Sequence, residues 1–400
     1  MSREAMNPID FSAPAGSTVA LNGRAGDLSQ LSTPESLGVR DFFDYSLVID
    51  ARSPREFAED HLPGAVNLPV VDDFQYAEVG TRHRTDKHGA YLIGVEYSLR
   101  NIADQIKPLI SRYGESDRFL VYCFRGGKRS RLWADSLRTI GFQVDVLAGG
   151  WKRYRQWVRE SLHALPDRFT FRVLAGPTGC GKTRLLAALA KQGEQVLDLE
   201  AMAAHRGSLL GKLPDTPQPT QKSFDSGLLQ ALRRLDPAKL VWIEAESKKI
   251  GNLQLPEGLF DRMHKSQLIE LDAPMPERVK LWREDYPHFA DDLVGMVQKL
   301  QPLKPLVGGQ VLSKWETLAT QGATDALFES IMREHYDPCY QRSTRSNYQR
   351  AASHDRLALQ GLASRDLAAA AHALAGIVFV SEPAVGSDPP IDGYARDASS

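Results

Sequence analysis

One octapeptide restricts what this 400-residue chain can fold into more than any other: Gly176-Pro-Thr-Gly179-Cys180-Gly181-Lys182-Thr183. It follows an apolar run, Phe169-Thr-Phe-Arg-Val-Leu-Ala175, and precedes an Ala/Leu-rich stretch over 184–191. The run reads as a buried strand and the stretch as a helix. The spacing G-x4-G-K-T therefore stands in the strand–loop–helix setting that a phosphate loop requires. Gly176, Gly179 and Gly181 let main-chain amides wrap a phosphate. Lys182 adds a point charge, and the Thr183 hydroxyl can ligate Mg²⁺. A di- or triphosphate site is expected here, with Cys180 as a small filler.

The chain beyond the loop alternates strands and helices, which favours a parallel α/β sheet. Gln195-Val-Leu-Asp198-Leu-Glu200 reads as a strand ending in carboxylates, and Leu240-Val-Trp-Ile-Glu244-Ala-Glu246 as another. Parallel sheets bind ligands at the carboxyl ends of their strands, so Lys182, Asp198 and Glu246 are expected near one edge. Asp198, Glu200 and Glu246 are candidate catalytic or metal carboxylates, and either Glu244 or Glu246 could hold metal through water. His205, Arg206 and Ser208 follow on a loop. From Pro276 the periodicity is helical, with a helix end over 335–345 and a last helix from Arg365 capped by Ser364.

A second anion cradle is legible upstream in Cys123-Phe-Arg125-Gly-Gly-Lys128-Arg129-Ser-Arg131. Phe119-Leu-Val-Tyr122 before it suits a buried strand, and Leu132, Trp133, Leu137 and Ile140 after it suit a helix closed by Gly141. A lone cysteine thus sits at a strand end, beside a glycine turn and a helix N-terminus. Those amides, with Arg125, Lys128 and Arg129, favour a thiolate or an anion carried on it. Between this loop and an earlier strand, Tyr45-Ser-Leu-Val-Ile-Asp50, lies an insertion over 72–93, read as a solvated loop or a cationic edge through residues 82–88.

Length suggests two or three domains. No apolar run is long enough to cross a bilayer and no signal pattern opens the chain, so no membrane and a cytoplasmic location are expected. Three cysteines, at 123, 180 and 339, suggest neither a disulfide framework nor a CxxC metal site. A net charge of −1 leaves nucleic-acid binding to local patches, at 82–88, 152–159 and 340–345. The expected division is a disordered leader (1–34), a first domain (35–160), a phosphate-loop α/β domain (168–275), a helical region (276–382) and a mobile tail (383–400).

The signature Asp50-Ala-Arg52…Glu56-Phe57…His61-Leu-Pro-Gly64-Ala-Val-Asn67-Leu-Pro69, paired with the Cys123 loop, resembles the rhodanese domain. That resemblance implies that Cys123 carries sulfur or a related chalcogen, and that Asp50 and Arg52 form a structural ion pair. Five residues separate Cys123 from Arg129, which resembles the Cys-x5-Arg cradle of dual-specificity phosphatases, although Tyr122 stands where those have His. The phosphate loop is similar to that of tRNA dimethylallyltransferases, which hold a prenyl diphosphate. A rhodanese-like domain followed by a P-loop NTPase-like parallel α/β domain resembles the tRNA 2-selenouridine synthases over residues 35–345. Gly150-x-Lys152, His205-Arg-Gly-Ser208, Gln221-x-x-Phe224, Glu246-Ser-Lys-x-Ile-Gly251 and Tyr336-Asp-Pro338-x-Tyr340 carry the likeness further.

That family implies a transferase that S-geranylates the 2-thiouridine of a tRNA wobble position with geranyl diphosphate. Selenium from selenophosphate then replaces the geranylthio group. Geranyl diphosphate and selenophosphate would be co-substrates, with Mg²⁺ and no prosthetic group. Lys182 and Thr183 would serve the first step, and Cys123, Arg125 and Arg129 the second, with Cys123 carrying or cradling selenium; His205, Arg206 and Ser208 would contact the diphosphate or the tRNA. Partners would be tRNA and the selenophosphate-producing enzyme. Two other readings stay open: a Cys-x5-Arg phosphatase with a regulatory nucleotide-binding domain, and a phosphate-loop ATPase with a rhodanese protein-binding module.

Overall fold

The computed structural model describes residues 33–348 and 354–376. The expected leader lies outside the described residues but for Thr33 and Pro34, and the expected tail lies outside them entirely. In the first α/β unit, β1 (Leu47–Asp50), β2 (Ala65–Asn67), β3 (Arg118–Tyr122) and β4 (Gln143–Val146) form a parallel sheet in the order β2-β1-β3-β4. The two central strands are buried along nearly their whole length, and apolar but for Asp50 and Arg118 at their ends, because helices cover both faces. Period-2 alternation splits their side chains. Ile49, Phe119 and Val121 cluster with Trp133 and Leu137 of the helix Lys128–Ile140. Val48, Leu120 and Tyr122 join Trp151, Tyr154 and Val158 of the helix Gly150–Ala164.

The insertion expected as a loop is instead two helices, Asp73–Arg82 and Lys87–Ile110. The start signals are in the sequence. Asp72 accepts from the Gln75 amide at 2.7 Å while Gln75 accepts from the Asp72 amide, and Asp86 accepts from the Gly89 amide at 2.8 Å.

The second unit carries β5 (Thr170–Ala175), β6 (Gln195–Leu197), β7 (Leu240–Glu244), a small hairpin of β8 (Lys249–Ile250) and β9 (Leu253–Gln254), β10 (Gln267–Asp272) and β11 (His354–Ala358). The five longer strands form a parallel sheet, order β11-β10-β5-β7-β6. The strand β11 corrects an expectation of helix throughout this region. It is a largely exposed edge strand with no apolar alternation to announce it. The last helix is Ser364–Ala375, with Ala363 rather than Ser364 at its N-cap, and it packs Leu367, Ala371 and Leu374 against Leu185 and Leu189 of the helix Lys182–Lys191.

Helices from Met275 to Ile331 build a separate core around Trp282, Met296, Trp315 and Phe328. Where a helix end was expected, a π-helical turn, Met332–Tyr336, runs directly into the helix Asp337–Asn347. No helix among the described residues is long and apolar enough to cross a membrane.

The two α/β units share one apolar cluster. Trp157, Leu162 and Leu165 of the first meet Phe169, Phe171, Leu228 and Leu259 of the second. At the same seam, buried Arg155 donates to Ser226 Oγ (2.8 Å), the Lys222 carbonyl (2.8 Å), Asp225 (2.7 Å) and Asp60 (3.4 Å).

Candidate functional site

Cys123 lies at the carboxyl end of β3, almost fully buried. The Gly127 amide donates to Sγ at 3.3 Å, and Ser130 Oγ stands 3.3 Å away. Burial pushes the thiol up. The Ser130 hydroxyl and amide, the Arg129 charge and the Arg125 amide together outweigh it and hold the thiol below its ordinary value. The loop is clamped from behind by a close backbone approach. A Cβ on Gly150, whose φ is +59°, would lie 2.1 Å from the Cys123 carbonyl oxygen. The amides of Trp151 and Lys152 donate to the carbonyls of Cys123 (2.9 Å) and Phe124 (3.0 Å).

The basic residues of this loop divide. Arg129 is largely buried and pairs with Glu56 at 2.7 Å, so the loop is fastened to the first turn of the helix Pro54–Glu59. Arg125 is exposed, its guanidinium 5.9 Å from the Phe124 ring. Asp50 and Arg52 form a buried ion pair at 2.6 Å. Tyr122, in the position that phosphatases of this fold give to His, donates to Asp50 at 2.6 Å and accepts from the Leu62 amide at 3.1 Å. That tyrosine completes a structural knot below the loop.

The phosphate loop connects β5 to the helix Lys182–Lys191. Lys182 Nζ folds back to the Gly176 carbonyl at 2.9 Å, the position a phosphate oxygen would compete for. Burial works against its charge, but Cys180 and the carboxylates of Glu200, Glu246 and Glu244 raise its pKa on balance. Thr183 Oγ1 donates to Glu200 at 3.1 Å.

The structure gathers Glu200, Glu244 and Glu246, each with a ligand atom within 4.8 Å of the others. Glu244 is the member that sequence left as an alternative. Asp198 is instead the N-cap of the helix Leu199–Ala203, accepting from the Ala201 amide at 2.8 Å. Burial raises all three pKa values, with the Asp198 charge adding for Glu200, and Glu200, Glu246 and Asp198 for Glu244; for Glu246, burial and then Glu200 push it up to about 8. One oxygen of fully buried Glu244 has no partner. Three crowded carboxylates with an orphaned oxygen, beside the Thr183 hydroxyl, suit a divalent cation.

Arg206 and Ser208 line the cavity above the phosphate loop, as do Gly179, Gly181, Lys182, Thr183, Glu200 and Glu246. Arg206 sits 4.5 Å from the Tyr286 ring and donates to the Asp285 carbonyl. His205 is not one of the lining residues. It is buried, bridges Lys212 through the main chain, and its unpartnered Nδ1 goes with a pKa lowered by burial. The cavity, about 450 Å³, also meets Leu209, Leu281, Trp282, Tyr286, Tyr336 and Tyr340. Of these, Trp282 and Tyr286 were not assigned from sequence, where only a helix period was visible, whereas Tyr336 and Tyr340 stood there in a family-like motif and beside an expected tRNA patch.

The expected basic patches differ in kind. Lys152 and Arg159 are exposed, whereas Arg82 pairs with Asp86 at 3.2 Å. Tyr340 is half-buried and donates to Glu270 at 3.3 Å; Arg342 is exposed and reaches Cys339 Sγ at 3.3 Å.

Residues 38–156 match the rhodanese-like domain family, and residues 169–298 match the tRNA 2-selenouridine synthase AAA domain. A tRNA 2-selenouridine synthase from Nitrosomonas europaea is 35% identical over 65% of this chain and 68% of its own. Those from Hydrogenovibrio crunogenus and Psychromonas ingrahamii are 33% and 30% identical, over 73% and 78% of this chain and 88% and 90% of theirs. With a rhodanese-like domain leading into a P-loop α/β domain, both matched in order, the chain belongs to the tRNA 2-selenouridine synthase family of transferases.

Proposed function

We propose that this enzyme modifies the wobble uridine of tRNA in two steps. The phosphate-loop cavity S-geranylates 2-thiouridine with geranyl diphosphate, and the Cys123 loop then serves its replacement by selenium from selenophosphate. The observation that carries the reading is the make-up of the cavity. A phosphate cradle over Gly179 to Thr183 faces a wall of Leu209, Leu281, Trp282 and Tyr286. Such a pairing suits a diphosphate with an apolar tail.

In the first step the thiocarbonyl sulfur attacks the terminal carbon of the prenyl chain. The carbon–oxygen bond breaks, its electron pair leaves on diphosphate, and the N3 proton of the base passes to solvent. Lys182 and the loop amides hold the departing charge. Mg²⁺, held by Thr183 and the Glu200, Glu244 and Glu246 carboxylates, would supply further charge neutralisation. In the second step selenium attacks the ring carbon and the carbon–sulfur bond breaks. Geranylthiolate leaves with the pair, and water releases phosphate from selenium. The convergent amides around Cys123, with Arg125 and Arg129, cradle the anionic donor. The selenophosphate-producing enzyme is the natural supplier, and exposed Lys152 and Arg159 are proposed tRNA contacts.

Nucleoside mass spectrometry tests this. The protein is incubated with 2-thiouridine tRNA, geranyl diphosphate, Mg²⁺ and selenophosphate, omitting one donor at a time. Geranylthiouridine is expected without selenophosphate, and selenouridine with both. Cys123→Ser is expected to stop at the geranylated nucleoside, and Lys182→Ala to slow geranylation by roughly a hundredfold or more. Unmodified tRNA with every component verified active would overturn the assignment.

A further inference from the structure

A second cavity, about 700 Å³ and larger than the one over the phosphate loop, opens beside the cysteine loop. Its walls are Val71, Val79, Val95 and Leu132, and Gly80 and Gly94 leave it wide. The insertion helices Asp73–Arg82 and Lys87–Ile110 form most of it, and the first turns of the helix Lys128–Ile140 close one end. Each insertion helix sends a tyrosine to that end. The Arg129 guanidinium lies 5.5 Å from the Tyr76 ring, and Lys128 Nζ lies 3.7 Å from the Tyr91 ring. Arg129 is the same residue whose charge helps lower the Cys123 thiol. The cavity is thus an apolar chamber whose cationic end belongs to the reactive loop.

The geometry points to this chamber as the binding site for the alkyl chain of the S-geranyl nucleoside during selenium transfer, distinct from the chain site at the phosphate loop. The inference rests on the two-step reading above. When the thioether carbon faces the Cys123 loop, its ten-carbon substituent must lie within a few ångströms of that loop. Left in water, it would forfeit the burial that favours binding. The chamber is of ligand size and apolar along Val71, Val79, Val95 and Leu132, with His83 and Arg84 of the insertion lining it as well as Lys128 and Arg129 of the loop. A chain seated there puts its sulfur at the end occupied by Lys128 and Arg129. The thiolate released when the carbon–sulfur bond breaks would then form beside two cations. The insertion thereby acquires a role, since its two helices supply the chamber and the tyrosines that fasten it to the loop.

Gly94 gives a test by filling. A Cβ there would meet only the Val79 methyls, at 3.5 and 3.6 Å, so alanine fits and leucine extends into the chamber. Gly94→Leu, Gly94→Ala and the unsubstituted protein are given 2-thiouridine tRNA, geranyl diphosphate, Mg²⁺ and selenophosphate. The nucleosides are followed by mass spectrometry, with sedimentation and thermal melting in parallel. For Gly94→Leu the expected result is accumulation of geranylthiouridine and roughly tenfold or slower conversion to selenouridine. Gly94→Ala should stay near the unsubstituted rate. Saturation-transfer NMR should show S-geranyl-2-thiouridine, but not 2-thiouridine, contacting the Tyr76 and Tyr91 rings. Conversion by folded Gly94→Leu at the unsubstituted rate overturns the chamber while leaving the two-step reading intact. So does a changed sedimentation coefficient with unchanged products, which would assign this face to a second copy of the chain. Failure of the unsubstituted protein to geranylate at all sinks the underlying reading instead.

Discussion

Replacing Arg155 by methionine should separate the two α/β units energetically. The side chain is about 4% exposed and its guanidinium serves both units at once. It donates to Asp60 in the first, and to the Lys222 carbonyl, Asp225 and Ser226 in the second. Asp60 is 2% exposed and would keep only neutral donors on its carboxylate, the Trp151 indole N–H at 3.2 Å and the Ser226 hydroxyl. Breaking a buried pair by removing one partner costs about 3–5 kcal/mol, because the other charge stays buried. Methionine keeps most of the volume, so lost packing adds little.

The pH dependence follows from Asp60, which burial holds above its ordinary value against the pull of Arg155. An acid whose folded pKa is raised costs stability above that pKa and ceases to cost it as pH falls. Without Arg155 the cost is uncompensated. The deficit of the variant should therefore be full at pH 7.5 and shrink toward pH 5. Urea denaturation followed by tryptophan fluorescence at both pH values measures it, and Asp60→Asn in the same chain should recover much of the loss. A deficit under about 1 kcal/mol at pH 7.5, or one that does not change with pH, would refute the reasoning.

Two further outcomes concern the cysteine loop. Ser130→Ala removes the hydroxyl 3.3 Å from Sγ, so the pH at which Cys123 begins to react with iodoacetamide should move upward, with slower alkylation at neutral pH. An unchanged profile would mean that the amides and Arg129 alone hold the thiolate. Gly150→Ala combines a left-handed backbone with a 2.1 Å approach to the Cys123 carbonyl. It should cost about 2 kcal/mol or more in the same urea titration, and an effect under about 1 kcal/mol would show that the loop yields.

The sequence carried the two cradles because their chemistry is local. Glycines, basic residues and a strand before each loop sit within a dozen positions, and the structure places Cys123 just past the end of β3 and Lys182 at the first position of the helix after the β5 loop, as such patterns require. What was missed depends on distant contacts. The apolar wall over the phosphate loop comes from Leu209, Leu281, Trp282 and Tyr286, spread across 78 positions, and no single helix period reveals a shared cavity. β11 is legible only through its partner β10, since His354, Asp355 and Arg356 are polar and exposed. Asp198 was a candidate carboxylate because it ends a strand, and its cap on the Ala201 amide, set by the helix that follows, shows only once that helix is built, while its charge acts on Glu200 and Glu244. The insertion helices were the avoidable error, for Asp72 with Gln75 is a capping box that the sequence displays.

The helix Gly150–Ala164 bears on how this protein can have been assembled and altered. Its first turn holds the cysteine loop, its middle carries Arg155, and its last turn lies in the apolar cluster beneath β5. A rhodanese-like domain borrowed from elsewhere would lack the residues on that helix that the second unit expects. A cut between the units would strip cover from Phe169 and Phe171. The pair therefore behaves as one object in any redesign, and grafting either half onto a new partner must carry this helix and the Gln221–Arg234 helix with it.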